Sequence, residues 1–250
     1  MGPLPQLVLY IFFGVLPSTI WLGYYLNKDL HPEPKRMILN VFLFGILVTV
    51  PVFFIQLGLL ESLRNLHTLS PFIYYPVGFD IVKWFVIIAF TEEMFKYLVV
   101  KMAVLKSAEL DEPLDIMLYM VISALGFAAL ENMLYLFSPI NNAISFGVIV
   151  KTTITVSFIR FIGATFLHTL CSAFLGYFLA LSFFQSHRKL PLTIFGILGA
   201  VSLHGLYNFS IMTLQRPLNY VIPIVIIFSL AIFMIYAFDK IKKIKDICDV

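Results

Sequence analysis

Seven long apolar runs constrain this chain more than any other feature. They extend from Leu4 to Leu26, Met37 to Leu60, Phe79 to Val100, Leu114 to Phe137, Phe158 to Phe184, Leu190 to Leu214 and Val221 to Phe238. A helix of about 20 mostly apolar residues crosses roughly 30 Å of hydrocarbon. Lipid offers the backbone no hydrogen-bond partner, so such runs are satisfied only as helices. The predicted fold class is therefore all-α, a polytopic membrane helix bundle of about seven transmembrane helices. Composition agrees, with 60% hydrophobic and only 12% charged residues, against roughly 25% charged in an average soluble domain. Mean hydropathy is +0.95.

Short linkers, with no repeat and no low-complexity tract, leave no room for a soluble domain, so residues 1–250 read as a single integral membrane domain. The first run lacks a basic leader and a small-residue cleavage site and reads as a retained anchor. The longest linker, about Glu61 to Gly78, carries Tyr74, Tyr75 and Pro76 and suits the membrane interface. The net charge of +3 is not gathered into a stripe that could track phosphates, which argues against a nucleic-acid partner. The two cysteines, Cys171 and Cys248, make neither a disulfide framework nor a cysteine-based zinc site.

Orientation follows from the basic residues on alternate sides of the spans. Lys28, Lys35, Arg36, Lys101, Lys106, Arg188, Lys189, Lys240, Lys242, Lys243 and Lys245 fall on one side, and Arg64, Lys83, Lys151 and Arg216 on the other. This asymmetry predicts an outside N-terminus, a cytoplasmic C-terminus and a multi-pass protein of the cell membrane.

Ionisable groups inside hydrocarbon cost about 2.5 to 3.5 kcal/mol each even on the lenient insertion scale, so each requires a reason. The third run carries Glu92, Glu93 and Lys96. Glu92 and Lys96, four apart, share a helix face, and one lysine cannot neutralise two carboxylates. One glutamate is thus left as a candidate general base. The alternative is a buried ion pair that fixes helix register. The fourth run ends with Glu131 and Asn132, the latter equally suited to an interhelical hydrogen bond. The fifth holds Arg160 and His168, with Arg160 either a counter-ion for Glu131 or a snorkelling residue. The sixth holds His204 and Asn208, whose spacing of four can present two donors to one oxygen, as an oxyanion hole requires. His31, His67 and His187 lie in linkers and carry no signal. Runs three to six, about residues 79–214, read as the functional core. Runs one, two and seven read as walls, with Asn40 and Gln56 as exceptions and Pro51 as a kink.

Taken in order, Glu92-Glu93-x-x-Lys96, Gly-Phe-Ala-x-x-Glu131-Asn132, His168 and His204-x-x-x-Asn208 resemble the motifs of the PrsW family of intramembrane proteases, related to the CAAX prenyl endopeptidases. Asp115 and Tyr119 also resemble the family pattern. The resemblance, from about Asp80 to Phe209, implies a protease that makes the first cut in a membrane-anchored anti-sigma factor or similar single-pass substrate. The wider superfamily implies a glutamate-activated water. Carried over to this chain, Glu92 resembles the base, His168 its partner, and His204 with Asn208 the oxyanion donors. Glu93, Lys96 and Glu131 resemble supporting positions of less defined role, with Glu93 a second candidate for the base.

Other chemistries find less support. A Gly-x-Ser-x-Gly elbow and a His-Glu-x-x-His motif are absent, and every aspartate lies at or beyond a run's end. Glu92, Glu93, Glu131, His168 and His204 are all permissible zinc ligands, but they lack the two-histidine helical spacing of zincins. The expectation is catalysis without a cofactor or metal. A proton-coupled transporter or channel, the rival reading, would use a similar Glu, His and Lys relay, yet the chain has no related halves.

By depth, Glu92 lies roughly 14 Å below the edge near Lys83, and Glu131, His204 and Asn208 roughly 9 to 15 Å below theirs at 1.5 Å per residue. These depths predict a hydrated cavity in the outer half of the bilayer. Substrate sequence and oligomeric state are not legible in the chain.

Overall fold

The computed structural model describes residues 3–27, 32–66, 74–107, 110, 112–137, 146–184 and 188–244. Lys28, His31, residues 67–73 of the predicted interfacial segment, His187, Lys245 and Cys248 lie outside them. Among the described residues there is no strand, and seven helical rods follow one another along the chain. They are α1 (Pro3–Leu26), α2 (Lys35–Leu66), α3 (residues 76–103), α4 (Pro113–Leu136), α5 (residues 146–184), α6 (Lys189–Thr213) and α7 (Leu218–Ile241). Six are individually long and apolar enough to cross a membrane. The exception, α3, reaches that length only when its segments are taken together: Pro76–Ile81, a π-helical stretch over Val82–Ala89, and Phe90–Ala103.

Two rods exceed their predicted extents by more than a helical turn at one end. Helix α2 runs unbroken through Pro51 to Leu66, and α5 begins at Phe146 instead of Phe158. The early part of α5 carries Lys151, Thr152, Thr153, Thr155 and Ser157, which lower its hydropathy without opposing a helix that continues beyond the hydrocarbon. Helix α5 also contains a π turn over Phe161–Thr165.

Helix α4 is the axis of the bundle. It is buried along nearly its whole length and packs chiefly on α1, α2 and α5. Small residues permit this, because van der Waals packing between backbones takes the place of a hydrophobic drive in lipid. Gly45 of α2 and Gly126 of α4 lie at one crossing, where a methyl group on either would collide with the other helix's backbone. At a second crossing, a methyl on Gly176 of α5 would sit 2.8 Å from the Met117 Cα of α4. Asp115 serves the start of α4, its Oδ2 accepting from the Glu112 N–H at 2.7 Å. Tyr119 donates to the buried Glu33 just ahead of α2. Both residues sit toward the end of the bundle opposite the polar cluster described next.

Candidate active site

The polar residues of four helices meet inside the bundle. Glu92, Glu93 and Lys96 follow directly after the π stretch of α3, and His168 comes three residues after the π turn of α5 ends. A π segment changes the residues per turn, and so resets which side chains face inward beyond it; such segments recur at functional sites. Lys83 lines the mouth of the cavity next to the cluster.

Lys96 is wholly buried and lies between two partners. Its Nζ donates to Glu93 Oε1 and to His168 Nδ1, each at 2.8 Å, above the ring of Phe127. Helix spacing favours a Glu92–Lys96 pair, but the closer ion pair is with Glu93, and Glu92 Oε2 stands 3.8 Å away. Glu93 is fully engaged: its Oε1 also meets His204 Nδ1 at 2.9 Å, and its Oε2 accepts from Ser172 Oγ at 3.0 Å. On the other side of Lys96, His168 Nε2 meets Glu131 Oε2 at 2.8 Å.

Arg160 is the counter-ion of Glu131, with Nη2 2.8 Å from Oε2 and the guanidinium stacked on Tyr135. Its Nε donates to Asn132 Oδ1. Asn132 Nδ2 in turn donates to Thr165 Oγ1 at 3.0 Å and to the Gly14 carbonyl at 3.3 Å, tying α4 to α5 and α1. Asn132 therefore makes the interhelical bond that was its plainer reading.

Glu92 differs from its neighbour. Gln56 Nε2 donates to Oε1 at 3.2 Å, but Oε2 is buried with no hydrogen-bond partner. His204 Nε2 lies 3.8 Å and His168 Nδ1 4.0 Å from that oxygen. A carboxylate only accepts hydrogen bonds, so the contacts to Glu93 and Glu131 place protons on His204 Nδ1 and His168 Nε2. A neutral ring then presents its other nitrogen as a lone pair toward Glu92. Glu92 Oε2 and His204 Nε2 thus face one space as free acceptors, with His168 Nδ1 beside them taking its proton donor from Lys96. Such a space accommodates an occupant polarised positively toward them: a water donating its hydrogens, or a cation.

The donor set also fits a metal ion. One atom each from Glu92, His168 and His204 lies within 4.8 Å of the others, and two imidazoles with one carboxylate are an established zinc set. Each histidine has its far nitrogen held by a carboxylate, Glu93 or Glu131, which is how ligating histidines are oriented. The two histidines come from separate helices, so the missing two-histidine spacing in the sequence does not weigh against this arrangement.

A cavity of about 510 Å³ opens beside the cluster, lined by Gln56, Trp84, Glu92, Glu131, His168, His204 and Asn208 among others. Asn208 lies there as its spacing from His204 predicted. Glu93, Lys96 and Asn132 do not line it. Three contributors escaped the sequence reading. Gln56 stood out only as an exception in a wall helix, while Ser172 and Trp84 carry no charge or spacing that singles them out. For Gln56 the signal was present, since an amide at membrane depth itself asks for a partner. Its bond to Glu92 makes α2 part of the site.

This is the architecture of a multi-pass helical membrane protein with a carboxylate–imidazole centre, buried between helices and open to a cavity. The chain belongs to the PrsW family of intramembrane proteases: the family described as "PrsW family intramembrane metalloprotease" matches residues 33–237. Proteins named Protease PrsW are similar along most of their length. That of Geobacillus kaustophilus is 30% identical over 205 residues, covering 81% of this chain and 80% of its own. That of Oceanobacillus iheyensis is 29% identical over 196 residues, covering 78% and 80%. That of Bacillus subtilis is 27% identical over 215 residues, covering 85% and 87%. No solved structure matches the chain.

Proposed function

We propose that this protease cuts a single-pass membrane protein, such as an anti-sigma factor, at or just outside its membrane segment, with Glu92 as the general base. The observation that carries the reading is the unpartnered Oε2 of Glu92, buried at the cavity and facing His168 and His204. A water held between these atoms passes a proton to Oε2 as its oxygen attacks the scissile carbonyl. The tetrahedral oxyanion is met by the Asn208 amide, with the His204 ring, held through Nδ1 by Glu93, beside it. Glu92 then returns the proton to the leaving amine, the amide C–N bond breaks, and the base is restored. Lys96 holds positive charge beside the centre throughout. Arg160 and Glu131 fix the ring plane of His168.

A second reading rests on the three converging side chains. Glu92, His168 and His204 would then hold a divalent ion, which when bound supplies an acidified water and Lewis-acid polarisation of the carbonyl. In that state the Lys96 ammonium has to leave His168 Nδ1, and Glu92 is a ligand.

The test is incubation of purified full-length protein with a panel of single-pass substrates, wild type against Glu92→Gln. Cleavage by the wild type and its loss in a folded Glu92→Gln protein supports the reading. Wild-type rates in the variant overturn the role of Glu92.

A further inference from the structure

At the end of the bundle opposite the candidate active site, where α3 and α5 end and α6 begins, lies a second cavity of about 700 Å³. Lys101, Lys106 and Lys189 line it together with Tyr97, Leu179 and Phe183. Among the described residues, no acidic side chain lines it and none of the three lysines makes an ion pair. Lys101 lies 5.7 Å from the Tyr97 ring centroid and Lys189 5.0 Å from that of Phe183, so both ammonium groups are held at the cavity by aromatic faces. Three like charges around one concave space repel one another unless an anion joins them.

We propose that this cavity binds the phosphate headgroup of an anionic phospholipid. The lysines take the phosphate, and the apolar walls take the first part of an acyl chain. The position supports lipid over free phosphate. The site lies at the ends of helices long and apolar enough to span, on the side to which the sequence assigns the basic excess, and basic pockets between such helices suit anionic headgroups. The walls come from α3, α5 and α6, the helices that carry Glu92, His168 and His204. A lipid seated here holds together, from the far end, the three helices whose relative positions set the site.

The experiment is native mass spectrometry of purified full-length protein supplied with equal phosphatidylglycerol and phosphatidylcholine. The wild type is expected to retain one phosphatidylglycerol with a preference of about tenfold or more. The triple variant Lys101→Gln, Lys106→Gln, Lys189→Gln is expected to lose that preference. The control triple Lys35→Gln, Arg36→Gln, Lys243→Gln removes the same charge from exposed positions at the same end that do not line the cavity, and is expected to keep it. No preference in the wild type, retention by the first triple, or equal loss in both triples overturns the proposal. Added inorganic phosphate is expected to leave the lipid adduct in place. A phosphate adduct that displaces the lipid identifies the free ion as ligand and also overturns it.

Discussion

Lys96 Nζ lies 2.8 Å from His168 Nδ1, an ammonium donating to an imidazole inside a membrane bundle. The same ammonium holds Glu93 at 2.8 Å, so one cation joins the acidic motif of α3 to the histidine of α5. Removing it leaves the buried Glu93 carboxylate, among the described residues, with only His204 and Ser172 as partners and no cation beside it. Breaking a buried pair this way costs about 3 to 5 kcal/mol. Lys96→Met is therefore expected to melt well below wild type in detergent and to lose activity. Wild-type melting would show that the pair does not hold the helices.

Glu92 and Glu93 separate by the same logic. Glu93 has every oxygen engaged and lies away from the cavity, whereas Glu92 leaves Oε2 free. Glu92→Gln preserves shape and the bond from Gln56, so its melting temperature is expected to stay near wild type while turnover falls by about 10² or more. Glu93→Gln puts an amide opposite Lys96 and His204 and is expected to lower the melting temperature first. The reverse pattern, with Glu92→Gln destabilised and Glu93→Gln stable but inactive, would move the base to Glu93.

The limits of the sequence reading have identifiable causes. Span number was legible because a membrane crossing needs a long apolar run, and candidate site residues were legible because ionisable groups inside such runs are costly. Pairing was not. Spacing of four linked Lys96 to Glu92, but the closer partner is Glu93, since His168 and Phe127 from other helices draw the lysine to that side. Gln56 and Ser172 reach the site through contacts remote in sequence, to Glu92 and Glu93, which no single helix pattern reports. Arg160 was undecided for a related reason: its partners Glu131 and Asn132 belong to α4.

A metal and a lone carboxylate base make opposite demands on the same three residues. With Glu92 as base, active protein is expected to contain no stoichiometric transition metal and to be indifferent to strong chelators. With Glu92, His168 and His204 as ligands, activity follows occupancy and returns on readdition. Elemental analysis of active protein distinguishes the two. One zinc per chain that tracks activity would replace the base mechanism with the metal one.

The orientation expected from the basic residues predicts a side of the membrane for the candidate active-site cavity. Its lining comes from the later part of α2, the early part of α3, the end of α4, the middle of α5 and the end of α6, while Lys101, Lys106 and Lys189 line the cavity at the other end of the bundle. If the basic end is cytoplasmic, the cavity opens outward and the substrate is cut at its outer end. Tyr135 and Met212 line the cavity and are 55% and 63% exposed, so cysteines there keep access to it. In a Cys171→Ala, Cys248→Ala background, Tyr135→Cys and Met212→Cys are expected to react with an impermeant thiol reagent added outside intact cells. Lys101→Cys is expected to react only after the membrane is opened. Labelling of Lys101→Cys alone in intact cells would invert the bundle and place the cut on the cytoplasmic side.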